Sequence, residues 1–134
     1  MEDFIQVLSV EIDRENRILN PCLHFLDNGN TLEGLRRIIY CELVTCTEIE
    51  VSGKLFDVWS DDEGLLVYQP VPTLYINDNL VLFGNLVFAT NDEGKTAGIT
   101  NADIPVLLKY LDEQAEKLFL WYARRSLICR AEVV

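Results

Sequence analysis

Three carboxylates in a row form the stretch of this sequence that looks most like chemistry. Residues 61–64 ("DDEG") lie between two apolar runs, and adjacent carboxylates can bind a metal ion or exchange protons. A similar stretch at 91–94 ("NDEG") follows another apolar run. A catalytic cluster has no reason to occur twice at equivalent places, whereas a turn that ends in glycine does. The pattern therefore predicts two hairpin tips and no metal site.

Cysteine and histidine side chains are the next candidates, as zinc ligands or as a nucleophile and its base. The chain contains Cys22, Cys41, Cys46, Cys129 and a single histidine, His24. No C-x-x-C pair occurs, and each cysteine lies in an apolar segment where a thiol packs as a small hydrophobe. Cys22 and His24 share one face of a predicted strand, so a Cys–His pair is conceivable, although a packed histidine is the simpler interpretation. Phosphate-binding and nucleophile-elbow motifs are absent from the sequence. The sequence thus predicts free cytosolic thiols, no catalytic residues, no metal and no cofactor.

Two groups of arginines stand out against an acidic background. Arg36 and Arg37 lie on a predicted short helix, and further arginines lie near the C-terminus beside aromatic residues. Arginine binds phosphate or carboxylate through two parallel hydrogen bonds, and aromatic rings stack on bases. Capping of helix ends is the alternative interpretation of the same residues. The candidate ligand-binding set is Arg36, Arg37, Trp121, Tyr122, Arg124 and Arg125.

The charge balance limits the kinds of partner. The chain of 134 residues has 22 acidic and 11 basic residues, a net charge of −11, with 49% apolar residues. Such a charge opposes direct binding to nucleic acid. It is compatible with a small ligand in a locally basic pocket, with a basic protein surface as partner, or with a solvated surface alone. The acidic N-terminal residues and the absence of a long apolar run predict no signal peptide, no membrane segment and a cytoplasmic location.

Apolar periodicity indicates the elements that position these residues. Residues 4–12 alternate as a strand does, and 17–27 form a second strand. Pro21 predicts that this second strand lies at a sheet edge or is irregular, because proline cannot donate a ladder hydrogen bond. Asn30 and Glu33 resemble a capping box at the start of a short helix. Strand-like segments follow in the later part of the sequence, at 41–51, 54–60, 65–71 and 80–90.

A long helix is expected to end the chain. Thr100 or Asp103 can cap it, and apolar residues then recur every three or four positions to about residue 127. Bulky residues on a second face of this helix favour a homodimer; they are Leu120, Trp121, Leu127 and Ile128. The predicted fold is a single α+β domain over residues 1–134. It consists of a mostly antiparallel β-sheet with one short inserted helix and a long C-terminal amphipathic helix.

The order of several segments resembles a phage and bacterial family known as domain of unknown function 3846. The segments are "IQVLSVE", "NTLEGLRRIIYCELVTCTEIE", "WSDDEGLL", "LFGNLVFATNDEG" and "ITNADI", and the resemblance covers about residues 4–112. These motifs concern the fold rather than catalysis. The tail beyond residue 112 lies outside the resemblance, and residues 69–72 ("QPVP") depart from the asparagine-containing segment that is usual in the family.

The resemblance implies a phage or prophage setting, in which small non-enzymatic proteins often antagonise host defence. The first hypothesis is a binding protein that sequesters a small anionic signalling nucleotide through the arginines. The alternative is an acidic inhibitor that imitates nucleic acid and binds a host DNA-binding or defence protein. A small structural domain and an enzyme that uses Cys22 and His24 are the remaining possibilities.

Overall fold

A computed structural model describes residues 3–16, 18–64, 66–67 and 70–133, with side chains described as far as residue 124. The elements are β1 (Phe4–Asp13), β2 (Ile18–Asp27), α1 (Thr31–Ile39), β3 (Val44–Val51), β4 (Lys54–Asp61), β5 (Pro72–Asn77), β6 (Leu80–Phe83), β7 (Leu86–Asp92), β8 (Lys95–Ala97) and α2 (Asp103–Val133). The predicted α+β class is confirmed, and α2 continues past the predicted end near residue 127. Neither described helix has the length and apolar character needed to cross a bilayer.

The main sheet is antiparallel, with the strand order β2-β1-β7-β4-β3 and with β8 paired to β7. β2 and β3 therefore lie at its two edges. The edge position predicted for β2 from Pro21 is confirmed. β5 and β6 form a separate two-stranded hairpin.

Side chains alternate between the two faces of the sheet, and each face has its own helix. Val7 and Val87 are buried on the face that α1 covers, together with Leu35 of that helix. Leu8 and Phe88 are buried on the other face, which α2 covers together with β5 and β6. Because successive residues of a strand point to opposite faces, the two helices lie on opposite sides of the sheet.

Asn30 is the N-cap residue of helix α1, but the predicted capping box is not formed. The Asn30 side chain makes no hydrogen bond to the backbone of the first turn. Its amide nitrogen instead donates to Glu33 Oε2 at 2.7 Å. Gly34 weakens a helix by its flexibility, yet it lets α1 approach the sheet, since a Cβ at this position would lie 2.8 Å from Leu26 Cδ2.

Of the two predicted hairpin tips, one is present. Residues 91–94 connect β7 to β8, and Glu93 and Gly94 have φ angles of 50° and 87°, as a tight hairpin turn requires. Residues 61–64 form a turn in which the Gly64 N–H donates to the Asp61 carbonyl at 3.1 Å. Of the predicted strand at 65–71, the described residues 66–67 and 70–71 belong to no strand, residues 65, 68 and 69 lie outside the described residues, and the next strand begins at Pro72. Gly64 is required for close approach and not for a positive φ, since a Cβ there would lie 2.9 Å from the Phe83 carbonyl oxygen.

Helix α2 begins with a reciprocal cap. The Asp103 N–H donates to Thr100 Oγ1 at 3.3 Å, and the Thr100 N–H donates to Asp103 Oδ2 at 2.8 Å. Lys54 of β4 adds an ion pair to the same carboxylate at 2.9 Å. Burial alone would raise the pKa of Asp103, but the hydrogen bonds from Lys54 and Thr100 hold that pKa below its ordinary value of 3.8.

Replacing Asp103 by asparagine is expected to lower the free energy of unfolding at pH 7 by about 1–2 kcal/mol, because the ion pair is lost. A depressed folded-state pKa stabilises the fold above the unfolded-state value and loses this effect as the pH falls. The difference between wild type and Asp103→Asn should therefore shrink below pH 3.8. Urea denaturation at pH 7 and at pH 3 measures it, with the exposed Asp92→Asn as control. A difference that stayed constant with pH would contradict the ion-pair explanation.

Candidate functional site

The two arginines of α1 lie on its exposed side. Arg37 Nη2 is 3.7 Å from Glu33 Oε1, one helical turn earlier. The Arg36 carbonyl accepts hydrogen bonds from the backbone N–H groups of Tyr40 and Cys41, at 2.9 and 3.3 Å, where the helix ends. Positive side chains in the last turn also suit the helix dipole. The Arg37 side chain thus has a carboxylate partner, whereas the Arg36 hydrogen bonds are those of its backbone, and both cations lie in the last turn of the helix.

The aromatic and arginine residues of α2 connect this helix to the β5–β6 hairpin. The Trp121 ring meets the Phe83 ring edge-on, with centroids 6.4 Å apart. Arg124 Nη2 lies 3.2 Å from Asp78 Oδ1, which also accepts the Tyr75 hydroxyl. Gln114 Nε2 adds a hydrogen bond to the Tyr75 carbonyl at 2.9 Å. These contacts dock the helix on the hairpin.

The predicted ligand-binding residues do not meet in one described pocket. Arg36 and Arg37 belong to the α1 side of the sheet, whereas Trp121, Tyr122 and Arg124 belong to the helix on the other side. Tyr122 is exposed. The side chains of Arg125, Leu127, Ile128 and Cys129 lie outside the described residues.

Cys22 and His24 share one face of β2, as predicted, but their partner is a carboxylate that the sequence analysis missed. His24 Nε2 is 2.8 Å from Glu11 Oε2, and the buried Ser9 hydroxyl donates to the same oxygen at 2.6 Å. Burial alone would raise the pKa of Glu11, but these hydrogen bonds hold it below its usual range. Alternation along β1, which puts Ser9 and Glu11 on one face, was the available signal.

The Glu11–His24 contact connects β1 to β2, and the chemistry of the group does not favour nucleophilic catalysis. Burial, followed by the negative charge of Glu11, raises the pKa of the Cys22 thiol, so the reactive thiolate is disfavoured. Ser9 donates its hydroxyl proton to Glu11 and not to His24, so the serine–histidine hydrogen bond of a nucleophile and its base is not formed, and Ser9 itself is fully buried.

An open cleft of about 690 Å³ adjoins this group at one end of the sheet. Carboxylates line it at Glu11, Asp13 and Asp61, together with Arg14 and the exposed Tyr40. Among the described lining residues, three carboxylates against one guanidinium disfavour an anionic occupant. Among the residues that the structure describes, no group of three or more His, Cys, Asp and Glu side chains is arranged to hold a metal ion.

The β3–β4 hairpin carries a concentration of negative charge on its α1 side. Four carboxylates share this face, and we name them the acidic edge: Glu48, Glu50, Asp57 and Asp61. Glu48 lies directly opposite Asp57, a like-charge pair that costs stability. In the described part of the chain, none of the four forms an ion pair. Lys54, the one cation in the sequence of this hairpin, pairs with Asp103.

Two cysteines near the acidic edge have raised pKa values, to which burial contributes most and the carboxylates contribute next. Desolvation, followed by the charges of Asp57 and Glu48, raises the pKa of Cys46 to about 12. Burial and Asp61 raise the pKa of Cys41 to about 11. Both thiols are therefore held neutral at physiological pH. Glutamate at alternate positions of β3 was the sequence signal for this surface, and it was missed because the pairing of β3 with β4 was unknown.

Comparison with known proteins leaves the relationship of this chain open. No protein-family model matches it, and neither a curated protein nor a solved structure matches it. The resemblance to domain of unknown function 3846 therefore stays a prediction, and function has to be inferred from the surfaces described above.

Proposed function

We propose that this chain is a non-enzymatic binding protein of phage or prophage type, which acts in the host cytoplasm by covering a basic surface of a host protein. The supporting observation is the acidic edge, where exposed Glu48 and Glu50 lack a cation partner among the described residues. Exposed carboxylates without their own cations are available to the lysines and arginines of a partner.

The spacing of these charges suits a partner that otherwise binds nucleic acid. Glu48 and Glu50 are two residues apart on one strand, which separates them by about 6.6 Å along the edge. A DNA-binding surface presents lysine and arginine side chains to a regular row of phosphates. The net charge of −11 attracts such a surface over longer distances and speeds the encounter. A DNA-binding or defence protein of the host is therefore the proposed partner.

Sequestration of a small anionic nucleotide stays a prediction, with less support than a protein partner. It requires Arg36 and Arg37 to act without Trp121, Tyr122 and Arg124, since the two groups belong to opposite sides of the sheet. Arg37 and Arg124 already have carboxylate partners.

The double variant Glu48→Gln/Glu50→Gln is expected to bind the partner about tenfold more weakly, because two exposed ion pairs of up to about 1 kcal/mol each are lost. The partner is isolated from host lysate on the immobilised wild-type protein and identified by mass spectrometry. Its affinity is then measured over a series of salt concentrations. Wild-type binding should weaken steeply as salt rises, and duplex DNA should compete for the same partner.

The matched control is Glu113→Gln/Glu116→Gln, which changes the net charge equally at exposed positions of α2. This control should keep most of the affinity of the wild type. If both double variants bind equally weakly, net charge and not the acidic edge determines binding. If neither variant nor salt changes the affinity, the proposed function is wrong.

A further inference from the structure

Strand β2 leaves one edge of the sheet open. It pairs with β1 along its whole length, from Asp13↔Ile18 to Phe4↔Asp27, and no described segment pairs with its other side. The backbone groups on an open edge can pair with another extended chain. The opposite edge is protected by the charged residues of β3, but β2 has no Asp, Glu, Lys or Arg between Ile18 and Leu26.

Large apolar side chains are exposed along this open strand. Leu19, Leu23 and Phe25 are 39%, 47% and 66% exposed. They point to the α2 side of the sheet, because Leu23 lies opposite Leu8, which is buried in the core on that side. Consecutive exposed apolar residues on one face of an edge strand are a surface that proteins usually avoid unless it binds something.

An apolar groove lies beside the first part of this strand, residues 18–21. A hollow of about 370 Å³ separates Leu19 and Pro21 from α2, whose wall consists of Leu108, Leu111, Asp112, Gln114, Ala115 and Leu118. A second hollow of about 420 Å³ shares Leu19 and continues to Ile18, Val71 and Pro72. Leu23 and Phe25 continue the exposed apolar row of β2 beyond the groove.

We propose that an extended segment of the partner protein adds to the sheet beside β2, with alternate apolar side chains against Leu23, Phe25 and the adjoining groove, and with lysine or arginine between or beside them. Carboxylates outnumber cations among the described residues around this surface, which supports a basic segment. Asp112 lines the first hollow, the exposed Asp27 ends the strand, and Asp13 lines the second hollow together with Arg14. Main-chain hydrogen bonds supply affinity in this mode of recognition, and the pockets for alternate side chains supply specificity.

The net charge of −11 disfavours a second copy of this chain as the occupant, because the two copies would repel each other. Pro21 has no N–H to donate, so the pairing is expected to centre on residues 22–27. This inference rests on the proposed function, because it takes the partner to be a protein with a basic surface.

The test uses an acetylated and amidated eight-residue peptide that alternates lysine with valine. It should bind the full chain saturably and slow amide hydrogen exchange in residues 22–27, because the open backbone groups of β2 become paired. The same peptide with glutamate in place of lysine should bind at least tenfold more weakly. Binding of the lysine peptide without slower exchange in β2 overturns strand addition, as does equal binding of the two peptides.

Variants of the exposed apolar row on β2 test the side chains. Leu23→Ser/Phe25→Ser should weaken binding of the lysine peptide at least tenfold, whereas Leu55→Ser/Leu66→Ser, at exposed apolar positions outside this row and the groove, should not. Thermal unfolding checks that both variants are folded. Sedimentation of the wild type tests whether a second copy of this chain is the occupant. If the wild type forms a concentration-dependent dimer and Leu23→Ser/Phe25→Ser abolishes it, the surface along β2 binds a second copy and the proposal is overturned. If Glu48→Gln/Glu50→Gln loses binding of the host partner and Leu23→Ser/Phe25→Ser keeps it, this inference is wrong and the proposed function still stands.

Discussion

Replacing Phe88 by alanine is expected to lower the free energy of unfolding by about 3–5 kcal/mol, because it opens a cavity at the centre of the core. Phe88 is fully buried on β7, between Leu8 of β1 and Val58 of β4. It packs in the core that the sheet shares with α2 and the β5–β6 hairpin. Urea denaturation at pH 7 measures the loss.

The matched control is Phe25→Ala on the open strand, where the phenyl ring is 66% exposed. This variant should change the free energy of unfolding by less than about 1 kcal/mol. The difference between the two losses of unfolding free energy distinguishes a phenylalanine of the core, Phe88, from one whose exposed ring is available for binding, Phe25. Comparable losses in the two variants would show that Phe25 is part of the core and would remove the basis for a binding surface along β2.

Replacing Asn85 by alanine should lower the free energy of unfolding by about 1–3 kcal/mol, since two partly buried backbone groups lose their partner. Asn85 Oδ1 accepts the Ile12 N–H at 2.9 Å, and its Nδ2 donates to the Ile38 carbonyl at 2.9 Å. The side chain therefore ties the end of β1 to the last turn of α1.

Hydrogen exchange at the Ile12 amide provides a second readout, and exchange there should become faster in Asn85→Ala. The exposed Asn79 gives a control at which alanine should have little effect on stability. An unchanged stability together with unchanged exchange at Ile12 would contradict the bridging role of Asn85.

Local sequence patterns predicted most of the elements. Pro21 placed β2 at an edge, and the Thr100–Asp103 pair marked the start of α2, because both signals act within a few residues. Residues 61–64 have the composition of a hairpin tip, yet they form a turn after which the described residues 66–67 and 70–71 belong to no strand. Gly64 of this turn lies so close to the Phe83 carbonyl that a Cβ would not fit. No local pattern contains that contact, because the two residues are distant in sequence.

The candidate sites were harder to predict, because they depend on which strands pair. The sequence analysis places Arg36 and Arg124 in one candidate binding set, and only the assignment of α1 and α2 to opposite faces separates them. The Glu11–His24 contact and the Glu48–Asp57 pair both cross between strands. The residue types were visible in the sequence, whereas the pairing register that brings them together was not.

The central claim is that this chain binds a host protein, and native mass spectrometry tests it most directly. The chain is purified at low salt from host cells with active defence signalling and then measured intact. We expect a complex whose extra mass is a host protein, which dissociates as the salt concentration rises and which Glu48→Gln/Glu50→Gln fails to form. A small anionic nucleotide bound stoichiometrically, without a protein partner and unaffected by that substitution, would contradict the claim. In that case the arginines of α1 or of α2 would become the site to mutate.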